Sequence, residues 1–164
     1  MARFLFALIL LATAIVQATI LPAANLLAIQ PDATLVLLLV WSALRGVPEG
    51  LAWAFGLGLV LDVLAMDPLG ANGLALLGVV LLGGVARRRF FQSTLIVPIV
   101  VAAVATLLHA VVLLLVRSGS GEPLPISSVI HLVVLQALLN SIFVPPLYLV
   151  AGIMDRRMVA RHAI

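Results

Sequence analysis

The sequence predicts an all-α integral membrane protein, a single domain over residues 1–164 built as a bundle of six transmembrane helices. Composition is the first reason, because 65% of the residues are hydrophobic, 9% are charged and the mean hydropathy is +1.34. Soluble domains carry about 25% charged residues. The second reason is that apolar runs close to the roughly 20 residues of a spanning helix recur along the chain.

Charge, glycine and proline divide the apolar residues into the six predicted spans. These are residues 4–21, 26–44, 50–66, 69–86, 93–116 and 128–154. The first is kept as a membrane helix and not as a signal peptide, because its basic region is thin and no clear cleavage site follows. The second is interrupted at residues 30–32, so we expect a short or broken helix with Pro31 and Asp32 near its start, where the helix dipole favours a carboxylate.

All nine basic residues are Arg, and their positions predict the orientation of the bundle. Short cytoplasmic loops collect positive charge. With six spans and both termini in the cytoplasm, only Arg117 lies on the outer side. The cytoplasmic basic anchors are then Arg87, Arg88, Arg89, Arg156 and Arg157. We interpret them as topology signals in contact with anionic lipid, not as a nucleic-acid surface.

Four predicted spans each place one polar side chain at the same depth: Gln17, Asp62, His109 and Gln136. Counted from the middle of each span at 1.5 Å per residue, this layer lies roughly 5 to 8 Å toward the outside. An Asp near the centre of a spanning helix costs about 2.5 to 3.5 kcal/mol unless a partner or water compensates it. We therefore expect Asp62 to face the bundle interior and to bond to His109 or to one of the amides near that depth.

Small residues recur every four positions around the third span, at Gly46, Gly50, Ala54 and Gly58. Such a stripe lets a neighbouring helix backbone approach closely. Tight packing within the bundle is the ordinary interpretation, and docking of a partner's transmembrane helix is the alternative. In the last span, Pro145 and Pro146 predict a kink that frees carbonyl groups near Ser141 and Ile142. The side chains of Asn140 and Ser141 could help to satisfy them.

The sequence lacks the motifs of catalysis and of cofactor binding. It has no cysteine and no zinc-protease, nucleophile-elbow, P-loop or dinucleotide fingerprint in a suitable context. A metal site needs three or four convergent ligands, and the spacing brings together two at most. We therefore predict a non-enzyme with no catalytic, cofactor-binding or metal-binding residue.

Several motifs follow one another through the second to fourth spans. They are Pro31-Asp32 opening a leucine-rich span, Arg45-Gly46 with Glu49-Gly50, Gly58-Leu-Val-Leu-Asp62, Asp67-Pro68-Leu69-Gly70 and the arginine triplet at residues 87–89. Together these motifs resemble the rod shape-determining protein MreD family. Carried over by position, the family-motif residues are Pro31, Asp32, Gly58, Asp62 and Gly70.

The resemblance implies a non-catalytic scaffold of the cell-elongation machinery in the bacterial inner membrane. It would bind MreC, work with MreB, RodA and the transpeptidase that partners RodA, and support lateral peptidoglycan synthesis and rod shape. The resemblance also implies a bundle similar to the substrate-binding subunits of energy-coupling-factor transporters. The alternative is such a subunit itself, in which the polar layer lines a pocket for a vitamin-like molecule. A third interpretation is that the layer only stabilises the fold.

Overall fold

The computed structural model describes residues 2–23, 31–90, 96–119 and 126–161, and these residues form helices joined by short connections. The helices are α1 (Ala2–Ala23), α2 (Ala33–Arg45), α3 (Val47–Ala65), α4 (Ala71–Phe90), α5 (Ile96–Gly119) and α6 (Ile126–Arg161). Within the described residues, α3, α5 and residues Ile130–Leu147 of α6 are long and apolar enough to cross a membrane, while the apolar stretches of α1, α2 and α4 are shorter. The chain is thus an all-helical membrane protein.

Helix α2 is the shortest helix and the centre of the bundle. It begins directly after Asp32, whose Oδ1 accepts a hydrogen bond from the backbone N–H of Leu35 at 2.9 Å. Nine of its 13 residues are buried. The other helices therefore enclose it, and it does not face lipid along its length. At 1.5 Å per residue it is only about 20 Å long. Helices that are apolar on all sides are typical of such a buried position.

The other five helices pack around α2 in the order α1, α3, α4, α5, α6, and each of them also contacts α2. Neighbours in this order contact one another. The largest fully buried side chains come mainly from α2 and α4, and the apolar ones are Leu35, Val36, Leu38, Leu39, Leu76, Val79, Val80 and Val144. Because lipid is as apolar as leucine, this core stabilises the bundle chiefly through close van der Waals packing.

Glycines bring α3 close to its neighbours. A Cβ built on Gly58 would collide with the backbone of Gly73 on α4, and one on Gly50 would lie 2.8 Å from Val80 Cγ1. Ala54, between them on the same face, is fully buried. The stripe of small residues therefore packs inside the bundle. Gly46 does not continue it, because this residue lies between α2 and α3 with a positive φ of 96° and forms the junction of the two helices.

The prolines of α6 lie inside a helix that continues to Arg161. The expectation that Asn140 and Ser141 satisfy the carbonyls freed by these prolines is wrong. The Ser141 hydroxyl donates to the carbonyl of Ala137 at 2.7 Å, one turn earlier. Asn140 is directed into the bundle, where it joins a polar cluster.

Aromatic and arginine side chains gather where α2 ends and α3 begins. Phe6 stacks on Trp41 with ring centroids 3.7 Å apart, and Trp53 meets the edge of Phe6 at 5.8 Å. Arg3 pairs with Glu49 through two bonds of 3.1 and 3.2 Å. These contacts join the starts of α1 and α3 to the end of α2.

Candidate functional site

Asp32 is the centre of a buried polar cluster that joins four helices. The Asp32 cluster consists of Gln17 on α1, Asp32 and Thr34 at the start of α2, Thr106 and His109 on α5, and Asn140 on α6. Oδ1 of Asp32 accepts hydrogen bonds from Gln17 Nε2 at 3.1 Å, Thr34 Oγ1 at 2.7 Å and the Leu35 backbone N–H at 2.9 Å. Three donors and the N-terminus of α2 together stabilise a carboxylate in this apolar setting.

Asn140 connects α6 to both α2 and α5. Its Oδ1 accepts the backbone N–H of Asp32 at 2.7 Å, and its Nδ2 donates to the Thr106 hydroxyl at 3.1 Å. The side chain is fully buried. Because Asp32 precedes the first turn of α2, its N–H has no partner within that helix, and the Asn140 amide satisfies it.

His109 is the second ionisable member of the cluster. Its Nδ1 lies 4.0 Å from Oδ2 of Asp32, and both side chains are about nine-tenths buried, with exposed fractions of 10% and 7%. The Nε2 atom is buried without a hydrogen-bond partner in the described part of the chain. The distance to Asp32 exceeds that of a direct N–H···O bond, about 2.7 to 3.2 Å.

Asp62 belongs to a separate cluster at the turn between α3 and α4. Its Oδ2 accepts the backbone N–H of Gly70 at 2.6 Å, and its Oδ1 accepts both the backbone N–H and Nδ2 of Asn72, at 2.8 and 2.9 Å. The residue is 1% exposed. The first N–H groups of a helix have no partner within it, so Asp62 caps the start of α4 from the last turn of α3.

Asp67 and Arg117 extend the Asp62 cluster, which consists of Asp62, Asp67, Gly70, Asn72 and Arg117. Asp67 Oδ2 accepts from Asn72 Nδ2 at 3.1 Å, and its Oδ1 accepts from Arg117 Nη2 at 2.6 Å. Arg117 lies in the last turn of α5, where a cation also interacts favourably with the helix dipole. The ion pair therefore joins the end of α5 to the α3–α4 turn.

The predicted polar layer is divided between these two clusters. Gln17 and His109 meet at Asp32, whereas Asp62 bonds to Gly70 and Asn72. Of the two kinds of partner expected for Asp62, the structure shows an amide, that of Asn72, and not His109. Asp62 faces the bundle interior, as expected, with 1% exposure. The expectation that Asp62 and Gln17 share a site is wrong. Gln136 is half-buried one turn before Asn140, and Asn140 supplies the amide that α6 brings to the Asp32 cluster.

A scan against protein families matches the rod shape-determining protein MreD over residues 1–152. The chain belongs to the MreD family. Its role is accordingly in rod shape determination, and its apolar helices place it in a membrane. Neither a curated protein nor a solved structure matches the chain, so similarity to transporter substrate-binding subunits remains a prediction.

The motif residues of this MreD-family chain hold the starts of two helices. Asp32 caps α2, and Pro31 directly precedes it. Asp62 caps α4 through Gly70, whose φ of +92° is a conformation that glycine adopts without strain. Gly58 lies one turn before Asp62 and allows α4 to approach α3. The motifs thus position carboxylates at helix N-termini.

Of the predicted basic anchors, Arg87 is described in full. Its Nη2 donates to the Leu44 carbonyl at 3.1 Å and so caps the end of α2. Arg88 and Arg89 lie on α4, and Arg156 and Arg157 on α6, but their side chains are outside the described residues. At the same end of α2, Cζ of Arg45 lies over the Trp41 ring, 5.5 Å from its centroid.

Sequence reasoning missed Asn140, Thr34 and Thr106 as members of the Asp32 cluster and the pairing of Asp67 with Arg117. A usable signal existed for the second cluster. An Asp in the last turn of one helix, a Pro-Leu-Gly turn and an Asn at the start of the next helix form a pattern in which free N–H groups attract a carboxylate. No comparable local pattern joins Asn140 to Asp32, which is 108 positions away.

Proposed function

We propose that this chain is a non-catalytic scaffold of the cell-elongation machinery that binds MreC. Membership of the MreD family is the observation that carries this proposal. The larger assembly would include MreB, RodA and the transpeptidase that partners RodA, and would support lateral peptidoglycan synthesis.

The arrangement of the polar groups supports a structural role for the bundle interior. In the Asp62 cluster, the carboxylates bond to helix N–H groups, to an amide and to Arg117. In the Asp32 cluster, the side chains bond to one another and to backbone groups. Groups engaged in this way orient helices. We therefore propose that the chain acts without catalysis and without a cofactor.

The exposed surface supports partner binding through helix faces. Large apolar side chains project outward from all the helices that surround α2, among them Leu11, Phe55, Leu81, Leu107 and Leu138. In a membrane these faces meet lipid or another protein's transmembrane helix. We propose that MreC contacts one of these faces.

The distribution of arginines supports an inner-membrane location with both termini in the cytoplasm. Arg3, Arg45 and Arg87 lie together at the end of the bundle where α1 begins, whereas Arg117 lies at the end of α5 beside the α3–α4 turn. Arginine retained on the cytoplasmic side accounts for this asymmetry.

The transporter alternative required Gln17, Asp62, His109 and Gln136 to line one pocket. Asp62 caps α4 instead, so the structure does not assemble that set. For the transporter alternative, the Asp32 cluster, which holds Gln17 and His109 of that set, is then the candidate site for a small molecule.

The experiment is affinity purification in mild detergent from source cells, with mass spectrometry of co-purifying proteins and small molecules. One exposed residue per surrounding helix is replaced by Trp: Leu11, Phe55, Leu81, Leu107 and Leu138. We expect MreC to co-purify with the unchanged chain and to be lost with one or two variants on adjacent helices that still elute as single species. MreC missing from the unchanged chain, or a stoichiometric small molecule accompanied by transporter ATPase subunits, would contradict the scaffold proposal.

A further inference from the structure

We propose that one water molecule bridges Oδ2 of Asp32 and Nδ1 of His109, and that it holds His109 as a neutral imidazole with its proton on Nδ1. The site joins the central helix α2 to α5 at the end of the bundle where α2 begins. The inference is independent of the proposed scaffold function, because it rests on the geometry of the Asp32 cluster alone.

The two carboxylate oxygens of Asp32 have unequal surroundings. Oδ1 accepts from Gln17, Thr34 and the Leu35 backbone. Oδ2 faces His109 Nδ1 at 4.0 Å, with no donor from the described residues at hydrogen-bond distance. A carboxylate oxygen has lone pairs but no donor of its own, so a water molecule that reaches Oδ2 can donate a hydrogen bond to it.

The separation of these two atoms fits a single bridging water. Two hydrogen bonds of about 2.8 Å to a shared oxygen span 4.0 Å when the angle at that oxygen is close to 90°. A buried water requires a polar site with two to four partners. The side chains of Asp32 and His109 retain 7% and 10% exposure, so neither is fully closed to a small solvent molecule.

The carboxylate decides which imidazole nitrogen carries the proton. A neutral imidazole has one N–H donor and one acceptor nitrogen. A bridging water that donates to Oδ2 can accept from an N–H at Nδ1, and the negative charge of Asp32 favours an N–H dipole directed toward it. Nε2, which is buried without a partner among the described residues, is then the bare nitrogen, so no unpaired N–H is left in apolar surroundings.

The test uses solid-state NMR of protein labelled with ¹⁵N-histidine in lipid bilayers at pH 8. The chain has three histidines, and a His131→Gln/His162→Gln variant leaves His109 as the one labelled ring. We expect ¹⁵N shifts of a neutral imidazole protonated on Nδ1, and rapid polarisation transfer from water to that N–H. A proton on Nε2, or a ring that receives no polarisation from water, would overturn the proposal.

Two substitutions in the same background separate the bridge from general disturbance of the cluster. Asp32→Asn removes the anionic acceptor and is expected to abolish the preference for the Nδ1 proton. Thr106→Val removes a hydroxyl of the cluster that bonds to Asn140 and to the Ala102 carbonyl, not to the bridge, and is expected to leave the His109 signals unchanged. Equal loss of the Nδ1 protonation in both variants would contradict a specific bridge to Asp32. If Asp32→Asn does not fold, the ¹⁵N shifts and water transfer measured with Asp32 in place still test the proposal.

Discussion

Asp62 and Asn72 are joined by two hydrogen bonds to one oxygen: Oδ1 of Asp62 accepts the backbone N–H of Asn72 at 2.8 Å and its Nδ2 at 2.9 Å. The carboxylate on α3 thereby caps the N-terminus of α4. This relationship gives a structural reason for a charged residue in an apolar segment. We therefore expect substitution of Asp62 to destabilise the bundle.

Asp62→Asn is expected to destabilise the bundle by about 2 to 3 kcal/mol, because bonds to a charged acceptor contribute about 1.5 to 3 kcal/mol each and the amide can replace them only in part. Thermal unfolding in detergent measures the loss. Ser118→Ala, at an exposed hydroxyl that bonds to the Leu115 carbonyl of its own helix, is the control and should have little effect. An unchanged unfolding midpoint in Asp62→Asn would show that α4 begins equally well without the carboxylate.

Gly58→Ala and Gly56→Ala form a matched pair two positions apart on α3. A Cβ at residue 58 meets the backbone of Gly73, whereas a Cβ at residue 56 meets nothing within 4 Å. We expect Gly58→Ala to cost about 1 to 3 kcal/mol through overpacking and Gly56→Ala to cost nothing. Unfolding midpoints and size-exclusion profiles make the comparison. Equal tolerance of both would mean that α3 and α4 lie farther apart than described.

Asn140→Ala is expected to be more damaging than Gln136→Ala, although both remove an amide from the same face of α6. Asn140 satisfies the backbone N–H of Asp32 in a fully buried position, and a buried donor left unpaired costs about 1 to 3 kcal/mol. Gln136 is half-buried. Denaturant or thermal unfolding ranks the two variants. A larger loss of stability from Gln136→Ala would show that Asn140 is not the α6 amide that stabilises the Asp32 cluster.

The pair Asp67–Arg117 should show a coupling free energy of about 1 kcal/mol in a double-mutant cycle, since Arg117 is partly exposed and solvent screens the interaction. Asp67→Asn, Arg117→Gln and the double variant supply the cycle, with unfolding free energy as the readout. The coupling should weaken at high salt. Additive single effects would mean that the α5 end is held by packing and not by this ion pair.

Sequence by itself determined the class of the protein and the helical segments, because both follow from local composition. An apolar chain with 9% charged residues can bury its backbone polar groups in lipid only as helices or a closed barrel. The break at Pro31 and Asp32 likewise predicted a short α2. The motif residues that indicated the family are equally local in the sequence.

Tertiary structure alone decided which polar residues meet. Depth along each helix, which sequence spacing estimates, placed Asp62 level with His109, but hydrogen bonds also depend on which helices are neighbours and how each is rotated. The turn between α3 and α4 brings the N–H groups of Gly70 and Asn72 to Asp62. The central position of α2 brings three side chains from other helices to Asp32, those of Gln17, His109 and Asn140. A polar group in an apolar bundle pairs with the nearest available partner, and only the packing of the helices determines which partner that is.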